Sequence, residues 1–444
     1  MKILGKNPLI GTVSISGAKN AALPIIVASI LTDDSIHLSN LPHISDVFAL
    51  ISMLEQMNAK VNICNSKYVG TIRCSNLQHT PLFNSDKLRG SIWLIAALLA
   101  KYKKAEIAIP GGCNLNKGER KIEMHLSVLA AMGAKIHINT RTIKAIAPRN
   151  GLIGTYFKFR IPSVGATISA ILAATLAQGT THLVNCAIEP EILDMCNMLK
   201  KMGAKITMTN EREFIIEGVK SLHGTSHRVM ADRIEACTYA IAAAITNGNI
   251  VLKNIEYDVI KNVFNKMEEA GVQVINSDEG ISISRATQQF NSIHIKTDPY
   301  PGFPTDAQPL LAILMCVATG KSTIVENIYD NRFLYTHELQ KMGAKISVDS
   351  SNTFCTIQGT KSLKGANVKA YDLRSGAAMI LAGLMAEGET IINDSFLVNR
   401  GYYNIVEKLR KCGAQVHYTN QDTATNVTQE IKRDVKNEKL AFST

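Results

Sequence analysis

One short phrase recurs six times along this chain, and that recurrence limits the possible folds more than any other feature. Met57-Asn58-Ala59-Lys60-Val61 returns as Met132-Gly133-Ala134-Lys135-Ile136 and Met202-Gly203-Ala204-Lys205-Ile206. It returns again as Ala270-Gly271-Val272-Gln273-Val274, Met342-Gly343-Ala344-Lys345-Ile346 and Cys412-Gly413-Ala414-Gln415-Val416. The central positions lie 75, 70, 68, 72 and 70 residues apart. Six similar units therefore nearly exhaust the 444 residues. A period of this kind marks one supersecondary unit used repeatedly.

Each phrase closes an amphipathic stretch. Val47, Leu50, Ile51, Leu54 and Met57 step by three and four, the spacing of one helix face. The Asn or Gly that follows fits a left-handed C-cap, and the apolar residue after it opens a strand. Upstream in every unit lies a second helix, predicted over 19–31, 87–100, 163–177, 232–246, 305–318 and 373–386. These stretches are Ala, Leu, Ile and Met nearly all round, so they must be buried on every side. Four of them end near Gly179, Gly248, Gly320 and Gly388, again as C-cap signals. Such helices cannot coat a sheet from outside. They must form the inside, with strands and amphipathic helices around them. The expected architecture is α/β, with three units per domain and two similar domains flanking a cleft.

Composition removes several alternatives. Apolar residues make up 46% of the chain, which excludes wholesale disorder. No run approaches the ~18 apolar residues that span a bilayer. The first eleven residues lack the apolar core of a signal peptide, so a cytoplasmic protein is expected. Nine cysteines fall singly, with no CxxC and no His-Cys cluster. That pattern argues against a disulfide framework or a metal site. The formal charge is +11, but no basic run exceeds three residues. Clustered basics interleaved with aromatics would signal nucleic acid, and none is present.

The polar residues that open the apolar helices carry the functional signal. They are Lys19 and Asn20, Arg89, Ser163 to Gly165, Asp232, Arg233 and Glu235, Asp306, and Asp372 with Arg374. Asp and Ser at such positions act as caps. Lys and Arg there oppose the helix dipole, so each calls for an anion or carboxylate nearby. Helix N-termini themselves attract anions, so a small polyanion is the expected occupant. Pro110-Gly111-Gly112-Cys113 places a thiol before Lys117, Arg120, Lys121 and His125, and nearby cations make a thiol more reactive. Arg400-Gly401 sets a further arginine in a turn of the last unit.

These segments resemble the UDP-N-acetylglucosamine enolpyruvyl transferase family. The similarity lies in Ser16-Gly17-Ala18-Lys19-Asn20-Ala21-Ala22-Leu23-Pro24, Arg89-Gly90-Ser91-Ile92-Trp93, Pro110-Gly111-Gly112-Cys113 and Pro162-Ser163-Val164-Gly165. It continues through Glu189-Pro190-Glu191, Asp232-Arg233-Ile234-Glu235, Phe303-Pro304-Thr305-Asp306, Asn331-Arg332-Phe333, Asp372-Leu373-Arg374 and Arg400-Gly401-Tyr402. The resemblance implies a two-domain inside-out α/β barrel. One domain would run 19–230 and the other would join 1–18 to 231–418, leaving 419–444 as a flexible polar tail.

The implied reaction moves the enolpyruvyl group of phosphoenolpyruvate onto the 3′-hydroxyl of UDP-N-acetylglucosamine and releases phosphate, opening peptidoglycan synthesis. The implied acid is Cys113, which is also the family's target for the epoxide fosfomycin. The implied base is Asp306. Lys19, Asn20, Arg120, Arg332, Asp372, Arg374 and Arg400 would contact phosphoenolpyruvate, with Lys19 and Arg400 also catalytic. Asn20, Arg89, Trp93, Ser163, Val164, Gly165, Asp306 and Ile328 would line the nucleotide-sugar site. No metal or cofactor is implied, and no nucleic-acid or membrane partner.

The chain departs from the family pattern in places. Arg120 and His125 lie seven and twelve residues after Cys113, two more than is usual, so 114–119 carries an extension. Lys121 and Glu123 replace the usual Pro and Asp. Asn399 stands for a common Asp, Ala231 for a common Pro, and Ile161 where some relatives have Lys. A related enzyme acting on another nucleoside or nucleotide sugar therefore stands as an alternative, as does a non-catalytic homologue. A 3-phosphoshikimate enzyme would carry a Gly-Asn-(Ala/Ser)-Gly-Thr-type segment and an acidic residue near position 113, and neither is found.

Overall fold

A computed structural model describes residues 1–64, 68–78, 88–110 and 122–419. The chain divides into two compact units. One is Ser16–Asp232; the other joins Met1–Ile15 to the chain from Arg233 onward. The cuts lie a few residues from the expected 18/19 and 230/231, for a local reason. Gly17 bridges Ala231, Ala18 N–H donates to Met230 O at 2.7 Å, and Asp232 N–H donates to Ser16 O at 2.8 Å. Those bonds tie 16–18 to the end of the Ser16–Asp232 unit.

Twelve α-helices occur among the described residues, and they alternate in kind. In the Ser16–Asp232 unit they are α1 (Lys19–Ala28), α2 (Ser45–Gln56), α3 (Ile92–Tyr102), α4 (Glu123–Ala131), α5 (Val164–Ala174) and α6 (Pro190–Lys201). In the other unit they are α7 (Arg233–Ile245), α8 (Lys261–Glu269), α9 (Gln308–Met315), α10 (Tyr335–Lys341), α11 (Leu373–Met385) and α12 (Ile405–Lys411). The odd-numbered helices form the interior. Every residue of α7, α9 and α11 is buried, as is α5 from Ala166 onward. A helix apolar on all sides has no face to give to water, so its neighbours must enclose it. The even-numbered helices bury one stripe; α8 buries Val263, Phe264 and Met267 and leaves its charged face outside.

The recurring phrase does what its composition requires. Asn58 and Gly133, Gly203, Gly271, Gly343 and Gly413 all adopt positive φ just past an amphipathic helix. After the inner helices, Gly179, Gly320 and Gly388 do the same, but Gly248 does not. There Asn247 takes the left-handed position at φ 55°. Gly248 serves a different need, since a Cβ on it would lie 2.1 Å from Leu9 O. Two helices also start about a turn later than predicted; α3 begins at Ile92, after the 3-10 turn Arg89–Ser91. α9 begins at Gln308, with Pro309 in its first turn, so Thr305 and Asp306 lie in the turn ahead of it.

Strands form small sheets around the inner helices. Thr180–Val184 pairs antiparallel with Glu213–Glu217, which pairs antiparallel with Lys205–Asn210, while Tyr156–Lys158 adds in parallel. The same pattern joins Thr225–Arg228, Ser35–Ser39, Val69–Arg73 and Lys60–Cys64, so the last strand of this unit returns to its first repeat. In the other unit the N-terminal residues supply two strands. Ile10–Ser14 runs parallel to Asn249–Lys253, and Lys2–Leu4 lies between Glu389–Asn393 and Gln415–His417. These pairings place 1–15 with the C-terminal half. None of the described helices is long and apolar enough to cross a membrane.

Candidate active site

The site candidates among the described residues divide between the two units, with a contact cluster around Asp306 in one and around Gly165 in the other. In the unit from Arg233 onward the centre is Asp306, whose side chain is 27% exposed. Its Oδ1 accepts from Arg332 Nη2 at 2.9 Å and its Oδ2 from Arg374 Nη2 at 2.7 Å. Both guanidiniums are buried, so this is a carboxylate clamped between two desolvated cations. Arg332 also donates through Nε and Nη2 to Thr305 O, at 3.2 and 3.0 Å, and lies 4.6 Å from the Tyr329 ring centroid. Arg374 lies 5.8 Å from the Tyr402 ring. Tyr402 is held in turn by a 2.7 Å hydrogen bond between its hydroxyl and that of Thr238 on α7.

Asp372 proves to be the N-cap of α11. Its Oδ1 accepts from Ser375 N–H at 2.6 Å, and Ser375 Oγ accepts from Asp372 N–H at 2.8 Å. This reciprocal pair is a capping box, and it fixes the turn that presents Arg374. Arg400 ends the 3-10 segment Ser395–Arg400 and is half-buried. The Ile328 side chain is exposed, while its N–H donates to Glu326 at 2.9 Å.

In the Ser16–Asp232 unit, Lys19 opens α1 and pairs with Asp46 of α2 at 2.6 Å. Its backbone N–H donates to Asp232 Oδ2 at 3.2 Å. Asn20, next along, is half-buried. Arg89 lies in the 3-10 turn before α3 and is half-buried. Trp93 Nε1 donates to Gly165 O at 3.0 Å. Ser163 caps α5 through a long 3.4 Å bond from Ala166 N–H, and Val164 and Gly165 are the first residues of that helix.

Gly165 has no room for a side chain. A Cβ there would lie 2.7 Å from Cε1 and 2.8 Å from Nε2 of His125. His125 is buried, with Nδ1 2.8 Å from Ser169 Oγ. Burial, helped by the nearby Arg89 charge, lowers its pKa to about 3, so it is neutral at pH 7.

Cys113 and Arg120 lie outside the described residues. Among the described thiols, burial pushes Cys186, Cys196, Cys237 and Cys355 up to about 12 and Cys316 higher still. Thiols in that state pack as small apolar groups.

The expectation that each helix-start cation needs an anion has a specific resolution. Lys19 and Arg374 find carboxylates of their own unit, Asp46 and Asp306. Arg233 lies 5.7 Å from the Tyr300 ring. Glu235 accepts from Lys408 at 2.6 Å. His125, grouped in the sequence with the cations after Cys113, is neutral, and Asp46, Ser169 as the partner of His125, Glu326 and Lys408 were not visible there. No local signal could have found them, because their partners lie 27 to 173 positions away for Asp46 and Lys408. Their residue types match ordinary helix-face or strand-end residues.

Comparison with known proteins identifies the group to which these clusters belong. A family model described as EPSP synthase (3-phosphoshikimate 1-carboxyvinyltransferase) matches residues 3–432, beyond the 418 limit of the visible resemblance. A UDP-N-acetylglucosamine 1-carboxyvinyltransferase of Wolbachia pipientis wMel is 45% identical over 425 residues, which is 94% of this chain and 99% of that protein. Its namesakes from Rickettsia bellii and Rhizobium meliloti are 44% and 42% identical, covering 93% and 94% of this chain and 98% of each relative.

Among solved structures, the enolpyruvyl transferase NikO from Streptomyces tendae superposes with a TM-score of 0.85 at 24% identity, covering 94% of this chain and 98% of that one. EPSP synthase from Acinetobacter baumannii superposes with a TM-score of 0.72 at 18% identity, covering 94% and 99%. These two likenesses bear on the fold alone. With a full-length family match and relatives above 40% identity, the chain belongs to the enolpyruvyl transferase family, among the UDP-N-acetylglucosamine 1-carboxyvinyltransferases.

Proposed function

We propose that this protein transfers the enolpyruvyl group of phosphoenolpyruvate to the 3′-hydroxyl of UDP-N-acetylglucosamine with release of phosphate. It would do so in the cytoplasm, as the first committed step of peptidoglycan synthesis. The observation that carries this reading is full-length identity of up to 45% with relatives named for that activity. The clamped Asp306 supplies the chemistry. Adding an alcohol across an enol double bond needs one group to protonate the methylene carbon and another to take the hydroxyl proton. The sugar oxygen bonds to C2 of phosphoenolpyruvate, Asp306 takes its proton, and Cys113 protonates C3. The thiolate left on Cys113 then takes a proton back from C3, the C2–C3 double bond re-forms as the bond from C2 to the phosphate oxygen breaks, and phosphate leaves.

Lys19, Asn20, Arg120, Arg332, Arg374 and Arg400 are assigned to phosphoenolpyruvate, five cations suited to a phosphate and a carboxylate. Asp372 is assigned to the same substrate, with its cap on α11 setting Arg374. Asn20, Arg89, Trp93, Ser163, Val164, Gly165, Asp306 and Ile328 are assigned to the nucleotide sugar. The N-terminus of α5 suits its diphosphate, because a helix start offers N–H donors and a positive dipole end.

Phosphate release measured with phosphoenolpyruvate and a panel of UDP-sugars and nucleosides tests the reading. Turnover confined to another acceptor would replace it with the paralogue that the 114–119 extension suggests. Cys113→Ala should lower phosphate release by about 10²–10⁴-fold, the range for a lost general acid. Incubation with UDP-N-acetylglucosamine and fosfomycin should add the drug's mass at Cys113; an unchanged mass contradicts that assignment.

A further inference from the structure

Four donors from three segments converge on one buried carboxylate that the functional assignment does not use. Glu326 follows the strand Lys321–Val325 and is 3% exposed. Its Oε1 accepts from Thr297 Oγ1 at 2.7 Å and from the N–H groups of Ile328 and Tyr329, both at 2.9 Å. Its Oε2 accepts from Thr305 Oγ1 at 3.0 Å. Thr297 is itself fully buried and accepts from Asn327 N–H at 2.9 Å, so the carboxylate stands on a fixed base.

Each remaining contact leads to a candidate site residue. Thr305 precedes Asp306, and its carbonyl is gripped by Arg332 from the other side. Ile328 is assigned to the nucleotide sugar, and Tyr329 supplies the ring beside Arg332. The turn holding Thr305 and Asp306 precedes α9 and is closed by two backbone bonds alone, Ala307 N–H to Pro304 O at 3.0 Å and Gln308 N–H to Thr305 O at 3.4 Å, so side-chain anchors bear on its shape. A charged acceptor makes stronger hydrogen bonds than a neutral one, and its burial keeps water from competing for the donors.

We infer that Glu326 is a positioning residue for the transfer, holding the Asp306 turn and the Ile328–Tyr329 backbone in one arrangement. The inference rests on the reaction proposed above. It divides Glu326 into two arms. The Oε2 arm reaches the base through Thr305, and the Oε1 arm reaches the acceptor site through Ile328 and Tyr329.

The test uses the full chain, the Glu326→Gln and Thr305→Ala variants, steady-state kinetics and calorimetric binding of UDP-N-acetylglucosamine. Thermal unfolding and circular dichroism identify the folded fraction to which each rate is normalised. Glu326→Gln should lower kcat about 10- to 100-fold and raise the KM and Kd for the nucleotide sugar several-fold, with KM for phosphoenolpyruvate within twofold. Thr305→Ala cuts the Oε2 arm alone, so it should lower kcat about 10-fold or more and raise the acceptor KM less than Glu326→Gln does, because Asp306 is also assigned to the nucleotide sugar. Folded variants with kcat and acceptor KM both within twofold of wild type would overturn the inference while leaving the reaction intact. So would losses that vanish once rates are normalised to folded protein. A wild-type chain that neither binds nor turns over UDP-N-acetylglucosamine would overturn the functional reading first, and this inference with it.

Discussion

The two clusters reach order by different physical means. Around Asp306 the organising force is charge: one carboxylate joins two buried guanidiniums at 2.9 and 2.7 Å. Around Gly165 it is shape: a neutral histidine ring fills the space where a Cβ would be, and an indole N–H closes on the same residue's carbonyl. Removing one member of a buried ion pair strands the other, so the first cluster should fail steeply. The second should fail in proportion to the volume added or lost. The helix caps repeat the contrast. The cap of α11 is reciprocal, with its closest bond at 2.6 Å, whereas the Ser163 cap of α5 is a single bond at 3.4 Å.

The sharpest way to break this contrast is Asp306→Asn. It should lower kcat about 10²–10⁴-fold as the base is lost. It should also cost about 1–3 kcal/mol of stability, below the full buried-pair penalty because Asp306 is 27% exposed. Phosphate-release kinetics and denaturant unfolding measure the two; a variant near wild type in both would show that charge does not organise this cluster.

A pH-dependent effect, on stability alone, belongs to His125. Its folded pKa of about 3 lies below the ordinary 6.5, so the unfolded chain binds a proton that the folded chain refuses. The stability from this neutral ring is complete above pH 6.5 and is lost as pH falls toward 3. The loss proceeds at no more than about 1.4 kcal/mol per pH unit. His125→Gln should flatten the wild-type slope across that window; parallel curves for the two proteins would show that His125 is not the titrating group.

Gly165→Ala comes next. The added Cβ cannot stay 2.7 Å from the His125 ring, so stability should fall by about 1–3 kcal/mol, with a raised KM for the nucleotide sugar. Pairing it with His125→Ala should recover part of that loss. A double variant whose cost equals the sum of the two single costs would refute the steric contact.

The smallest effects compare the two caps. Asp372→Ala should cost about 1–2 kcal/mol and Ser163→Ala about 0.5 kcal/mol. Equal midpoints in denaturant would mean that the reciprocal bond at Asp372 adds nothing.

Much of the fold was legible because it depends on periodicity. The inner helices were visible as stretches with no polar face, and their companions as stretches with one. The places where the reading slipped are local. Gly248 carries the C-cap signal along the chain, but Asn247 takes the left-handed position, and the crowding of Gly248 by Leu9 comes from a segment far away in sequence. Pro309 shortened α9 and left Asp306 in a turn, where a periodic count had placed it inside the helix. The candidate site was legible as residue types at helix starts, but less so in its connections. The helix-start positions of Lys19 and Arg374 call for an anion or carboxylate nearby, and each meets a carboxylate of its own unit, but which carboxylate is not written along the chain.

What the sequence determined by itself was the sixfold unit, the inward placement of the apolar helices and the family signature. Hydrophobic period and capping chemistry act within a few residues, so they can be read along the chain. The tertiary structure alone decided which charges meet: Asp46 with Lys19, Asp306 with two arginines, and Glu326 with donors up to 29 positions away. Ion pairing and steric fit depend on distance in space, and the chain sets that distance only when its distant segments have packed.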